Sequence, residues 1–394
     1  MKHIQTTAEG RLAIAVAAMA CTTSAWATNG AQLGGYGIEN AMMGGTAIAV
    51  PLDTVAAANN PAGMAYVANV TDIGLQLFHG QSSASYVLPG NTLHNDTTLP
   101  APEGGINWAW GSDKTFGISI AGLGVDANYE HPALPVPGAS NAKSSLRAVD
   151  VIPSVTWKPR SDIALGAALD FTYEQFQAQG LIVPAPVPGG LLQLPDHGKQ
   201  SATGASVRLG ALWNVNDQFR IGVAYKSLSH MSALSGYRND LLAYSNGRID
   251  IPPQYGVGLA YTATHGLTFA ADWLNVQWHS VQVMQDPNGF NWRNQNIYRA
   301  GIAWDVNPDW TVRAGYSTSD EQIPSDHLAV NLLAPSINHR AYTVGASVRL
   351  DPKSKLSLGY ELDPRTTLQG SGTNQSTSLT SKIQLLMLGY QRGF

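Results

Sequence analysis

Residues 297–317 read IYRAGIAWDVNPDWTVRAGYS, which is two alternating segments joined by a short turn. In each segment the larger apolar side chains occupy every second position, and small, polar or charged residues lie between them. A two-residue period of this kind is typical of β-strands that have one apolar face. The joining residues, Asn307-Pro308-Asp309, are those that tight turns favour. The stretch therefore predicts two neighbouring strands with one apolar face and one small or charged face.

The alternation continues from there to the last residue, and the connections between segments alternate in length. Those at Asn307–Asp309 and Pro352–Ser354 are short, whereas those at Ser319–Asn338 and Asp363–Ser381 are long. Transmembrane β-barrels have tight periplasmic turns at one end and longer extracellular loops at the other. A soluble sandwich has no physical reason to sort its loops in this way. We therefore predict a barrel in the bacterial outer membrane, with the aromatic Phe394 ending its last strand.

Fourteen such segments occur along the chain, and an even number is what a single-chain bacterial barrel requires. Their second faces carry small residues, which predicts a lumen with room inside it. Aromatic residues such as Trp157 and Trp213 stand beside the short turns, as in a membrane-interface girdle. The predicted strands are Val70–Phe78, Ile106–Trp110, Phe116–Ala121, Arg147–Trp157, Ile163–Gln177, Ser201–Trp213, Phe219–Tyr237, Ile249–Tyr261, Leu267–Trp278, Ile297–Asp305, Trp310–Ser317, Tyr342–Leu350, Leu356–Leu362 and Ile383–Phe394.

The N-terminus predicts export from the cytoplasm. Two basic residues precede the apolar stretch Leu12–Ala20, and the small residues Ala25 and Ala27 suit cleavage before Thr28. Residues 1–27 are therefore expected to be a signal peptide. The single cysteine, Cys21, lies inside it, and a lipoprotein acylated at that cysteine is the alternative.

The composition excludes several other classes of protein. Only 13% of the 394 residues are charged, and no run of eighteen apolar residues follows the signal, which excludes helical membrane spans. The net charge of −4 comes with no basic patch for nucleic acid. The mature chain has no cysteine, and its histidines are scattered singly. We therefore expect no metal, no cofactor and no catalytic site.

The segment before the first strand, residues 28–68, does not alternate and is rich in glycine and alanine. Gly44–Ala49 reads GGTAIA, Asp53 follows, and Asn60-Pro61-Ala62 comes just before the first strand. A disordered tail is one interpretation. The segment resembles the N-terminal hatch of the long-chain fatty acid transporter family of outer-membrane proteins, which also contains aromatic-hydrocarbon uptake channels. The resemblance implies a hatch of residues 28–68 inside a barrel of residues 69–394.

The resemblance covers essentially the whole mature chain. Gly117–Gly124, followed by Tyr129, is similar to the family's third strand, in which a glycine-containing kink opens a gap in the barrel wall. This implies a wall opening at Gly122 and Gly124. Further similar stretches are Pro253–Trp278, Arg299–Gly315 and Gln322-Ile323-Pro324. One interval departs from the family, because four prolines within or next to Leu181–Leu194 forbid the helices usual in this loop.

Arginines on the inward face are the candidate ligand-binding residues. A guanidinium can hold a carboxylate with two hydrogen bonds and stays charged at all ordinary pH values. We select Arg299 and Arg313, on adjacent strands, and Arg293, which aligns with a position that is often basic in the family. The alternative is that these arginines belong to a structural ion-pair network.

The sequence thus predicts a passive outer-membrane transporter for hydrophobic molecules, with long-chain fatty acids as the substrate class that the resemblance favours. The implied steps are capture by extracellular loops, a hatch shift with Asn60-Pro61-Ala62 near the binding pocket, and lateral release into lipid. The alternatives are a hydrocarbon channel of the same fold, a general diffusion porin and a surface receptor. The resemblance further implies a monomer whose partners are hydrophobic small molecules and outer-membrane lipid.

Overall fold

The structure, a computed structural model, describes residues 34–184, 190–263 and 266–394. Fourteen antiparallel strands, each hydrogen-bonded to the next in sequence, form a sheet that closes where the last strand pairs with the first. The predicted barrel is confirmed, while the predicted signal peptide lies outside the described residues. The strands are β1 (Val70–Ser85), β2 (Thr92–Trp110), β3 (Lys114–Asn128), β4 (Lys143–Arg160), β5 (Ile163–Gln179), β6 (Gln200–Asn214), β7 (Phe219–Lys226), β8 (Gln254–Thr262), β9 (Leu267–Val276), β10 (Gln295–Asp305), β11 (Trp310–Ser319), β12 (Arg340–Asp351), β13 (Ser354–Gln369) and β14 (Ser378–Gly393).

The two-residue period separates the outer surface of the barrel from its lumen. In β5, Leu169 and Phe171 are 49% and 51% exposed, whereas Asp170 and Glu174 are 0% and 1% exposed. The apolar side chains therefore point outward, toward lipid, and the acidic ones point inward. Because the sheet closes on itself, the first and last strands pair with each other and leave no free sheet edge between them.

The first two strands are longer than the sequence pattern indicates. We predicted Val70–Phe78 and Ile106–Trp110, but β1 and β2 continue toward each other until only residues 86–91 separate them. The added residues, such as Gly80-Gln81-Ser82-Ser83, are polar or small on both faces. A strand that extends beyond the bilayer has no apolar face, so the alternation that reveals a strand is missing there.

Strands β7, β8 and β9 are shorter than predicted at the end with the long loops. β7 ends at Lys226, and a two-residue piece, His230–Met231, continues the pairing with β6. β8 begins only at Gln254. Pro252 and Pro253, which precede it, have no backbone N–H and cannot take part in a central ladder. β9 ends at Val276, and the predicted terminal residue Trp278 begins a 3-10 turn instead.

The helices are short. Within the described ranges, two α-helices, α1 (Ile38–Ala41) and α2 (Ala56–Asn59), precede the first strand. Among the described residues, no helix is both long and apolar enough to cross a membrane. The 3-10 helices are Pro61–Tyr66, Ser235–Tyr237, Ala243–Ser245, Trp278–Ser280, Ser325–His327, Val330–Leu333 and Gly372–Asn374.

Residues 34–69, which we call the lumenal segment, pack against the inner wall of the barrel. Glycines on the inward face allow this approach. A Cβ atom on Gly315 would lie 2.0 Å from the backbone nitrogen of Gly44, and one on Gly166 would lie 2.2 Å from that of Ala62. The small inward residues thus provide room that the segment fills. Similar close approaches to the segment occur at Gly74, Gly105, Gly117, Gly210, Gly222, Gly256, Gly258, Gly301, Gly345, Gly359 and Gly389.

The long loops form an apolar cap over the other end of the barrel. Hydrogen bonds join loops that are distant in sequence: Tyr129 donates to the Leu332 carbonyl over 2.8 Å, and the indole of Trp292 donates to Asn331 Oδ1 over 2.7 Å. Trp278 stacks edge-on against Trp292 at 5.0 Å between ring centroids. The loops are therefore an ordered part of the structure and can define cavities.

Candidate functional site

The wall of the barrel has one long interruption in pairing, between β2 and β3. The two strands pair only from Gly104↔Ile120 to Trp110↔Lys114. Between this ladder and the long loops, residues 92–103 pair with β1 alone, and residues 121–128 pair with β4 alone. At the end of the unpaired stretch nearest the long loops, the Asn128 N–H donates to Asn95 Oδ1 over 3.0 Å and joins the two strands again. We call the unpaired stretch the side window.

Gly122 and Gly124, the residues predicted to mark a wall opening, lie on the β3 side of this window. Their partners are Val149 and Arg147 of β4. Neither glycine pairs with β2. The side window therefore borders the two glycines that the resemblance singled out.

An apolar cavity adjoins the side window from inside the barrel. It contains about 1030 Å³ of empty space, part of it open to solvent. Gly124 and Val125 bring β3 to its edge, and Trp278, Phe290 and Trp292 supply aromatic walls. We call it the inner cavity.

A second apolar cavity, of about 760 Å³, lies among the long loops. The proline-rich loop contributes a short hairpin, Ile182–Pro184 paired with Leu191–Gln193, and residues 185–189 between them lie outside the described part. We call this the outer cavity. Residues that line both cavities are Leu181, Leu241, Val283, Phe290, Val330 and Leu333. The two cavities are thus neighbours that share part of their walls.

The charged groups that line the inner cavity are acidic. Glu174 of β5 is 1% exposed, and Asp250 of the loop before β8 is 6% exposed. Asp250 accepts the Met231 N–H over 2.9 Å. Among the residues that the structure describes, no lysine or arginine lines this cavity. A carboxylate ligand would therefore meet two carboxyl groups and no cation there.

Two of the predicted ligand-binding arginines contact the lumenal segment. Arg313 forms an ion pair with Glu39 and donates to Ser347 Oγ over 2.6 Å. Arg299 donates to the Gly45 carbonyl over 3.1 Å. Both side chains are 7% exposed, and neither lines the inner or outer cavity. The geometry is that of the structural network that the sequence left open as the alternative.

Arg293 lies in the connection between β9 and β10, away from the other two arginines. Its side chain is exposed, and its backbone N–H donates to the Gln322 carbonyl over 2.9 Å. It does not line either cavity, although the neighbouring Trp292 lines the inner one.

The inward basic residues Arg208 and Lys226 also have acidic partners. Arg208 Nε lies 2.8 Å from Asp170 Oδ1, and Lys226 Nζ lies 3.5 Å from Asp170 Oδ2. Asp150 approaches both cations, at 3.7 Å and 3.8 Å. Arg208 further donates to the carbonyl of Ala58 in the lumenal segment. This buried cluster contains two positive and two negative groups, so each of its cations already has an acidic partner within the protein.

The Asn60-Pro61-Ala62 motif lies near the end of the barrel with the short turns. Asn60 donates to the Ile48 carbonyl over 2.8 Å, and Thr156 of β4 donates to the Pro61 carbonyl over 3.0 Å. Ala62 packs on Gly166, which is eight residues before Glu174 in β5. At about 3.3 Å per residue, the motif is roughly 26 Å from the inner cavity along the strand. It is therefore not brought close to that cavity, where the sequence analysis expected it.

Asp53, which belongs to the lumenal segment, faces other acidic side chains. It shares a small cleft with Glu39, Asp72 and Glu103. Burial, together with the nearby carboxylates of Asp72 and Glu103, raises the pKa of Asp53 well above its ordinary value. The Val55 N–H donates to Asp53 Oδ1 over 3.0 Å. Asp53 is thus held by a hydrogen bond within the segment, and its surroundings disfavour the charged carboxylate.

Sequence reasoning missed most residues that line the cavities. They come from long loops, where no period marks a buried side chain, and they meet only through loop packing. One signal was available: Trp278, Phe290 and Trp292 are large aromatic residues in or beside a long extracellular connection. Aromatic residues concentrated outside the membrane-spanning strands favour a binding surface.

These features define a class of protein: a closed transmembrane barrel with two apolar cavities at one end and an interruption in its wall beside one of them. The family model described as "Outer membrane protein transport protein (OMPP1/FadL/TodX)" matches residues 14–386. The chain belongs to this family of outer-membrane transporters for hydrophobic substrates.

Several solved structures have the same fold. A toluene transporter of Pseudomonas putida, TodX, is 19% identical with a TM-score of 0.73, over 92% of this chain and 99% of that one. A FadL homologue of Pseudomonas aeruginosa is 18% identical with a TM-score of 0.71, over 95% and 100%. The Ralstonia pickettii toluene transporter TbuX is 17% identical with a TM-score of 0.67, over 92% and 99%. No curated protein sequence matches the chain.

Proposed function

We propose that this protein takes up small, neutral hydrophobic molecules by passive diffusion, with aromatic hydrocarbons as the substrate type that fits best. The observation that carries the proposal is the inner cavity: apolar and aromatic walls, acidic charged groups, and a β3 edge that also borders the side window. The solved structures of similar fold include proteins described as toluene transporters.

The proposed route has three steps. A molecule first enters the outer cavity, where Leu181 and Phe290 cover its apolar surface. It then moves across the shared wall into the inner cavity. From there it leaves past Gly124 and Val125 through the side window into the bilayer. Lateral exit is downhill because apolar surface gains free energy on entering lipid instead of water.

The lumenal segment acts in this proposal as a hatch that blocks the lumen below the inner cavity. Its contacts with Arg299, Arg313 and Asp272 fix it to the wall. Asp272 accepts the Ala47 and Ile48 N–H groups over 2.7 Å and 3.0 Å. Since the inner cavity and the side window adjoin each other, release needs no movement of Asn60-Pro61-Ala62. The path lies within one closed barrel, which favours a monomer.

The distribution of charge favours neutral substrates over long-chain fatty acids. Arg208, Lys226, Arg299 and Arg313 are the strongly buried inward cations, and each contacts an acidic side chain or the lumenal segment. None of them lines the inner cavity. A fatty acid carboxylate would have to leave water without gaining a cation, which is unfavourable.

The test is uptake of radiolabelled toluene and of oleate by cells that lack their own transporters for both. Expression of the protein should raise the initial rate of toluene uptake above that of the vector control and leave oleate uptake unchanged. Uptake of oleate without toluene would overturn the substrate assignment in favour of fatty acids. Planar bilayers should show no sustained conductance to salt, because an open channel for polar solutes would mean a general porin.

A further inference from the structure

Glu174 is a buried carboxyl group with an unused hydrogen-bonding position. Its side chain lines the inner cavity and is 1% exposed. Among the residues that the structure describes, no group donates a hydrogen bond to Oε1. Such a buried acceptor is unfavourable unless something supplies the missing donor.

The protein supplies cations or hydrogen-bond donors to the other acidic groups nearby. Asp170, four residues earlier on the same face of β5, has Arg208 and Lys226. Asp250, which lines the cavity beside Glu174, receives the Met231 N–H. The chain thus supplies donors to the neighbouring carboxyl groups and leaves Glu174 Oε1, on a side chain that lines the inner cavity, without one.

We propose that the inner cavity selects apolar molecules that carry a hydroxyl group, whose O–H donates to Glu174 Oε1. This rests on the proposed function and names the substrate class more narrowly. Trp278, Phe290 and Trp292 pack against the apolar body, while Glu174 orients the hydroxyl end. The carboxyl oxygen accepts a hydrogen bond in either protonation state. A ligand carboxylate cannot donate one, so alcohols and phenols bind more tightly than acids of equal size.

Three probes of nearly equal shape separate these interactions: p-cresol, p-xylene and 4-methylbenzoate. Binding of each to the purified full-length protein in detergent is measured by isothermal titration calorimetry. Wild type should bind p-cresol about tenfold more tightly than p-xylene, as one buried hydrogen bond predicts. 4-Methylbenzoate should bind most weakly.

Two variants at position 174 test the group itself, and one elsewhere serves as control. Glu174→Leu should bring the p-cresol to p-xylene affinity ratio close to one while p-xylene still binds, which also shows that the cavity remains folded. Glu174→Gln keeps an acceptor oxygen and should retain most of the preference. Glu321→Leu removes an exposed loop carboxyl outside both cavities and should leave the ratio unchanged.

The outcomes separate this inference from the proposed function. If p-xylene and p-cresol bind equally to wild type and to Glu174→Leu, the hydroxyl inference fails while uptake of neutral hydrophobic molecules stands. If neither neutral probe binds to wild type, the proposed function fails. Tightest binding by 4-methylbenzoate would overturn both.

Discussion

Single buried cations in this barrel are used to hold the lumenal segment in place. Glu39 of α1 forms ion pairs with Arg313 of β11 and with Lys355 of β13. Glu39 and Arg313 are both almost fully buried. Removing one partner of a buried pair leaves an uncompensated charge, which is far more damaging than removing both.

Arg313→Met is therefore expected to loosen the seating of the segment by about 3 kcal/mol, the low end of the range for broken buried pairs because Lys355 remains. Hydrogen exchange of peptides within residues 34–50 should accelerate, and the double variant Glu39→Met/Arg313→Met should recover part of the loss. Arg349→Met, which removes an exposed arginine of β12, is the matched control. Equal exchange in Arg313→Met and the control would show that the ion pair does not hold the segment.

Asp53 makes the same segment sensitive to pH. Burial and the carboxylates of Asp72 and Glu103 raise the pKa of Asp53 above its ordinary value of 3.8. A raised acid pKa means that the folded state prefers the protonated form. The stabilisation is thus fully present below the ordinary value and is lost as the pH rises through the folded-state pKa.

We expect exchange of peptides around residues 50–58, corrected for the intrinsic rate, to accelerate as the pH rises from about 4 to about 8. Asp53→Asn resembles the protonated form and should flatten this profile. The control is Asp309→Asn, in the exposed turn between β10 and β11. A profile that stays equally steep in Asp53→Asn would assign the pH dependence to another group.

At the scale of elements, the pairing of β3 changes along its length. Its first half lies in a continuous sheet between β2 and β4, and its second half pairs with β4 alone. A bulky side chain at Gly124 would stand at the edge of both the inner cavity and the side window. The same side chain at Ile118, which is 37% exposed on the lipid face of the paired half, would not.

Gly124→Trp should consequently lower the initial rate of toluene uptake at least severalfold, because it obstructs the exit. Binding in the outer cavity does not involve this position and should persist. Ile118→Trp should transport at the wild-type rate. Equal transport by both variants would show that substrates leave the barrel by another path.

For the molecule as a whole, the bilayer is the solvent that decides which residues the outer wall tolerates. Leu169, near the middle of β5, is 49% exposed, and Trp213, at the end of β6 with the short turns, is 48% exposed. Both belong to the lipid-facing surface, but they lie at different depths. The effect of a charge on this surface depends on that depth.

The charge introduced by Leu169→Arg should lower the free energy of unfolding by about 2–4 kcal/mol. The charge introduced by Trp213→Arg should lower it by only about 0–1 kcal/mol. Urea unfolding in phospholipid vesicles measures both, with Leu169→Ala and Trp213→Ala correcting for the lost side chain. A similar charge effect at the two positions would mean that β5 and β6 do not cross the bilayer as the barrel requires.

The sequence alone determined the number, order and outward face of the strands. These follow from a local pattern, since alternate residues of one strand always point to opposite sides. Residues such as Leu169 and Asp170 could thus be assigned to lipid and lumen without knowledge of any partner. The extra length of β1 and β2 was not predicted, because both faces of these strands are polar or small beyond the membrane and no alternation marks them.

Only the tertiary structure decided what the inward side chains contact. Arg299 and Arg313 are equally suited in sequence to a ligand carboxylate or to a protein partner, and the fold places the lumenal segment against them. Conversely, Glu174 and Asp170 are both acidic residues on the inward face of β5, and the fold places cations beside Asp170 and an apolar cavity beside Glu174. A hydrogen bond or ion pair depends on groups far apart in the chain, and no local period encodes them.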